Sequence, residues 1–179
     1  MKNPLKCEGE CMKLLVMSDS HGASINVIRA LRLHSDADVA IFLGDGAADF
    51  LERKDAYPNI AFLAVSGNCD IGVGAAYGLS ASEQITLEGK RIFYTHGHVY
   101  GVKGGVGAFV SAARSRGADI ALFGHTHQPL ERYIPADEEG SALYLVNPGS
   151  IGGRGSDGKC SYAVITIRDG DILVSHGKV

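Results

Sequence analysis

The chain has 179 residues, 45% of them hydrophobic and 21% charged, and a formal net charge of -3 at pH 7. This composition excludes a disordered or fibrous chain and fits one globular domain with a sizeable core. The mild acidity leaves no general basic field for a long nucleic acid or an anionic membrane, and no apolar run reaches the roughly 18 residues a membrane helix needs.

Residues 1–11, MKNPLKCEGEC, have neither the apolar stretch of a signal peptide nor the patterning that begins at Met12. They read as a flexible extension, with Met12 as an alternative start and residues 12–179 as a single domain. KLLVMS (13–18) predicts a strand, and 24–34 a helix with Ile25, Ile28 and Leu31 on one face. VAIFL (39–43) predicts a second strand, 48–54 a short helix, and NIAFLAVS (59–66) a third strand. These runs are continuously apolar, as strands covered on both faces must be, and they imply strand–helix–strand units. A Gly- and Ala-rich loop precedes a hairpin, EQITL and KRIFYT, turning at Glu88-Gly89. Val106 to Arg116 reads as a helix stopped by Gly117, and DIALF (119–123) as the next strand. ALYLVN, SYAVITI and DILVS complete the strands, the last two joined at Asp169-Gly170.

The four cysteines, at 7, 11, 69 and 160, form no disulfide framework, and Cys7 and Cys11 lack the second pair of a zinc site. They read as free thiols in a reducing cytoplasm.

Five of these strands run into polar clusters: Asp19-Ser20-His21, Gly44-Asp45, Gly67-Asn68, His96-Gly97-His98 and Gly124-His125-Thr126-His127. All five lie at C-terminal strand ends, where open α/β sheets bind ligands. One such cluster arises easily by chance, but five do so poorly. His34 and His176 fall outside them and read as surface residues. In Asp19-x-His21 and His125-x-His127, a period of two would turn both side chains to one side of an extended segment. Seven or eight oxygen and imidazole donors are too many for one transition ion and suit two. Mn is the first choice, with Fe, Co, Ni or Zn as alternatives, ahead of Ca or Mg. Two divalent ions against Asp19, Asp45 and a bridging hydroxide leave a positive centre suited to an anionic substrate. Such a pair supplies hydroxide at neutral pH and clamps phosphoryl oxygens, so the residues themselves point to metal-assisted hydrolysis of a small phosphoester.

The motifs DSH (19–21), GD (44–45), GNCD (67–70), HGH (96–98), GHTH (124–127) and NPGS (147–150) together resemble the calcineurin-like metallophosphoesterase family. The short chain with GNCD and NPGS is most similar to its small single-domain YfcE-like phosphodiesterase branch, which also includes a retromer subunit of similar fold. The resemblance implies a four-layer α/β/β/α sandwich. It implies that Asp19, His21 and His127 hold one metal, that Asn68, His96 and His125 hold the other, and that Asp45 bridges them. A metal-bridging hydroxide would be the nucleophile. Many family members have His at the position of Cys69, taken there as the acid that protonates the leaving group. The acid is therefore unassigned here: Cys69, a thiol ordinarily titrating near about 8.5, and His98 are the candidates, and a good leaving group needs none. His98 is equally readable as a residue orienting His96, with Asp70 as a partner in that role. Arg154 is a candidate contact for substrate phosphate. GVKGGVG (101–107) matches no phosphate-loop pattern and reads as a flexible lead into a helix. The rival expectation is a non-catalytic binding scaffold of the same fold. The oligomeric state, a homo-oligomer included, is open on the sequence.

Overall fold

The computed structural model describes residues 11–138 and 140–179; the expected extension at 1–11 lies outside them except for Cys11. Strand β1 (Met12–Met17) leads through helix α1 (Ser24–Leu33) to β2 (Val39–Phe42), and α2 (Ala47–Leu51) precedes β3 (Ala61–Ala64). Helix α3 (Val73–Ala76) follows, then the hairpin β4 (Ser82–Leu87) and β5 (Lys90–Thr95), helix α4 (Gly107–Ser115) and β6 (Ile120–Leu122). Four strands complete the chain: β7 (Pro129–Ile134), β8 (Leu143–Pro148), β9 (Ser161–Arg168) and β10 (Asp171–Lys178).

Among the described residues, ten strands form two five-stranded sheets, ordered β10-β9-β1-β2-β3 and β4-β5-β6-β8-β7. β1, β2 and β3 run parallel in the first, and β5, β6 and β8 run parallel in the second. The continuous apolar runs have a direct cause. Alternate residues Leu14, Val16 and Ile41 of the first sheet meet Ile92, Ile120, Leu122 and Val146 of the second. The intervening Leu15, Met17 and Phe42 pack under α1 and α2 with Val27, Leu31 and Phe50. On the far side, Phe93, Ala121 and Phe123 pack under α4 through Phe109 and Ala113. The result is the helix–sheet–sheet–helix order expected.

Four expectations need correction. In α1 the buried stripe is Val27, Ala30 and Leu31, while Ile25 is 55% exposed. β3 is an edge strand, only half covered, rather than buried on both faces. α3 lies within the stretch read as a Gly- and Ala-rich loop. Between DIALF and ALYLVN, where the pattern predicts no strand, the chain forms β7, whose opening Pro129 and charged Glu131 and Arg132 suit an edge and hide the strand pattern.

Candidate metal centre

The five polar clusters sit at the ends of β1, β2 and β3 in one sheet and of β5 and β6 in the other, so they meet across the sheet–sheet gap. Hydrogen bonds join the sheets there. His96 Nδ1–H donates to the Leu43 carbonyl at 2.8 Å, and His125 N–H donates to Asp19 Oδ2 at 3.1 Å. Gly124 is required at its position, because a Cβ would collide with Ser18 Oγ of the opposite sheet.

Two nests of donor atoms result. Asp19 Oδ1 lies 3.1 Å from His127 Nε2 and 3.7 Å from His21 Nε2, and the two ring nitrogens are 3.4 Å apart. His96 Nε2 lies 3.1 Å from both His125 Nδ1 and Asn68 Oδ1. Asp45 Oδ2 faces both nests, 3.4 Å from His96 Nε2 and 3.8 Å from His21 Nε2. His125 and His127 thus face different nests. The same-side expectation fails because Asp19, His21, His125 and His127 all have positive φ, so neither segment is extended and the period-two rule does not hold.

The donor set fits cations. Asp19 Oδ2 is occupied by Ser18 Oγ and the His125 N–H, whereas Oδ1 is buried with no hydrogen-bond partner. With Nδ1–H committed to Leu43, a neutral His96 turns a lone pair at Nε2 toward two further acceptors, Asn68 Oδ1 and Asp45 Oδ2, with His125 Nδ1 also 3.1 Å away. Such a confrontation of acceptors is relieved by a proton or by a metal ion. Titration follows the same logic. Burial opposes charge on His96, but the Asp45 and Asp19 carboxylates overcome it and raise its pKa. Burial also opposes ionisation of Asp45, yet His96 and the Cys69 N–H hold its carboxyl well below the usual carboxylate range. His125 is pushed down to about 4, by burial and then by His96 and Lys103, so its ring stays neutral near neutral pH.

The other candidates lie around this core. Cys69 is exposed, with its Sγ 3.3 Å from Asn68 Nδ2, and the Asp45 carboxylate followed by burial raises its pKa. His98 is half-buried, its ring centroid 5.3 Å from that of His96, and its Nδ1 has no partner. Arg154 is exposed but anchored: its N–H donates to Ser150 Oγ, which donates to the Asp19 carbonyl. Gly152 and Gly155 on either side pack against the backbone carbonyls of Asp19–Ser20 and His127. After burial, the Arg154 charge is the next largest influence lowering the His21 pKa. His34 pairs with Tyr162 Oη at 3.0 Å and His176 with the Asn147 carbonyl at 2.8 Å, so neither belongs to the site. Asp70 does not orient His96; it accepts four backbone N–H groups instead. Lys103, within the stretch read only as a lead into a helix, is a cation whose field reaches His125.

Comparison with known proteins agrees with this geometry. The model of the calcineurin-like phosphoesterase superfamily domain matches residues 12–170. Phosphodiesterase YfcE of Escherichia coli strain K12 is 30% identical over 181 residues, covering 90% of each chain. A predicted phosphoesterase of Streptococcus pneumoniae TIGR4 has a crystal structure with TM-score 0.73 and 27% identity, covering 94% of this chain and 90% of that one. Vacuolar protein sorting 29 from Cryptosporidium parvum, at 18% identity and TM-score 0.67 over 94% of this chain and 98% of its own, shares the fold. With a donor set that fits metal ions on this fold, and a family match running from β1 to the last hairpin, the chain belongs to the calcineurin-like phosphoesterase superfamily and is a metal-dependent phosphoesterase.

Proposed function

We propose that the chain hydrolyses small phosphodiesters, with phosphomonoesters as a second substrate class, at a dinuclear centre. Asp19, His21 and His127 hold one ion, Asn68, His96 and His125 the other, and Asp45 bridges. The observation that carries this reading is the single Asp45 oxygen turned toward both nests. When bound, two divalent ions, Mn²⁺ by preference, supply an activated water and neutralise charge on the phosphoryl oxygens.

The chain's own residues do the rest. Asp19 and Asp45 bring only two negative charges to the pair of nests, which leaves a loaded site positive and attractive to a phosphoester in a chain of net charge -3. Arg154, anchored beside the His21 nest, reaches a phosphate oxygen of the substrate and holds the ester in register. Cys69, kept protonated by the neighbouring Asp45 carboxylate, or His98, whose ring lies beside those of His96 and His125, delivers the proton to a poor leaving group. An aryl leaving group needs neither. Residues 12–179 act as a single domain. We further propose a cytoplasmic location, supported by free cysteines at 11, 69 and 160. A long nucleic acid is not the expected substrate of a chain with net charge -3. The alternative, a non-catalytic scaffold of this fold, predicts a degraded ligand set, whereas all seven candidate ligands are present and converge.

Turnover of an aryl phosphodiester with added Mn²⁺ tests the reading. Asp45→Ala and His96→Ala should each lower kcat/KM by more than about 100-fold, since even residues behind metal ligands cost about 10- to 100-fold. Undiminished turnover in either variant, or one Mn²⁺ per chain in the wild type by elemental analysis, would sink it.

A further inference from the structure

Asp45 adopts φ 59°, between Gly44 at 95° and Gly46 at 125°. Three consecutive left-handed residues are an unfavourable path for a chain, and they turn successive backbone N–H groups toward one point. Such a concavity attracts an anion. Here the anion is internal. Asp70 Oδ1 accepts the N–H groups of Gly46 and Ala47 at 2.8 and 3.1 Å, and Oδ2 accepts those of Asp45 and Gly67 at 2.8 Å each. Asp70 is only 5% exposed, and these four bonds are charge-assisted, the strong kind. The clamp is reciprocal, because the Cys69 N–H, one residue before Asp70, donates to Asp45 Oδ1 at 2.7 Å. Asp45 is thereby fixed at both its backbone and its carboxylate, and its free Oδ2 can point only into the gap between the nests. Gly44 and Gly67 make room: a Cβ on Gly44 would meet the Gly67 backbone, and one on Gly67 would meet Asp45.

We propose that Asp70 is a positioning residue that sets the spacing of the two metal ions by fixing the bridging Asp45. The assignment rests on the dinuclear reading above, and it concerns a residue that touches neither nest. Asp70→Asn preserves size but turns an NH₂ group against two of the donors. With Mn²⁺, kcat on an aryl phosphodiester should fall about 10- to 100-fold while KM stays within about 3-fold. Affinity for the more weakly held Mn²⁺ should fall about 10- to 100-fold by calorimetry, and exchange coupling between the two Mn²⁺ ions should weaken by electron paramagnetic resonance. A residue that only supports the fold would lower the melting temperature of the metal-free protein and leave affinity, coupling and kcat at wild-type values; that result overturns the assignment. Asp70→Ser, which removes the charge without the opposing NH₂, carries the same measurements if Asp70→Asn does not fold. Failure of both to fold overturns the assignment too, by making Asp70 a folding residue. A wild type lacking a coupled Mn²⁺ pair would sink the dinuclear reading and this assignment with it. A coupled pair left intact in Asp70→Asn overturns the assignment alone.

Discussion

Left-handed backbone is concentrated where the chemistry is. Among the described residues, the non-glycine positions with positive φ are Asp19, His21, Asp45, His125 and His127, plus Glu88 and Asp169 in the two hairpin turns. A residue with a Cβ gives up about 1–2 kcal/mol in that conformation, so five proposed ligands are held against their own preference by the surrounding hydrogen bonds. Differential scanning calorimetry in a chelator should therefore find metal-free His127→Gly more stable than His127→Ala by about 1 kcal/mol, roughly 2–4 °C in melting temperature. Equal stabilities would contradict strain at that position. The histidines were legible in the sequence because imidazoles are unexpected after apolar strand runs. Asp70 was not, because its four partners are backbone N–H groups, which carry no residue signature. The sorting of His125 and His127 into separate nests came from the family resemblance and was hidden from the spacing, since it depends on φ.

At the scale of elements, strands covered on both faces announced themselves, while half-covered ones did not. β1 and β2 are apolar throughout because one face meets the other sheet and the other meets α1 and α2. β7 pairs only with β8, begins at Pro129 and leaves Tyr133 55% exposed, so its sequence carries no such run. The face of α1 was misjudged because Ile25 fits the periodic pattern as well as Val27 does, and only the position of the sheet decides between them. At the end of that helix, His34 is bonded to Tyr162 Oη, with its Nδ1 buried and unpartnered. Burial, then the charge of Lys13, lowers its pKa below the ordinary 6.5. The unfolded chain therefore takes up this proton more readily than the folded one. Its contribution to stability is complete above about pH 6.5 and is lost as pH falls through the lower folded value. Denaturant unfolding between pH 5 and 7.5 should show a shallower acid limb for His34→Gln than for the wild type; parallel limbs would refute this.

For the molecule as a whole, the alternation of patterns implied strand–helix–strand units and the family resemblance supplied the layer order, but the spacing did not show two sheets meeting at one edge. Three polar clusters follow strands of the first sheet and two follow strands of the second, and nothing in their spacing says that the edges face each other. Ions that bind only the folded state stabilise it by mass action, by about 2.7 kcal/mol at 100 times Kd. Saturating Mn²⁺ should accordingly raise the melting temperature by roughly 5–10 °C, and the Asp45→Ala variant should lose most of that rise. An unchanged melting temperature on adding Mn²⁺ would count against a site that spans both sheets.

The division of ligands between the sheets has a temporal consequence. Asp19, His21, Asp45 and Asn68 belong to the first sheet, and His96, His125 and His127 to the second. Each proposed nest draws on both, so neither half alone holds a whole nest. A chain still assembling offers no complete coordination shell to scavenge whatever ion is abundant around it. On the proposed ligand set, the full shell for either ion exists only after the two layers have closed on each other.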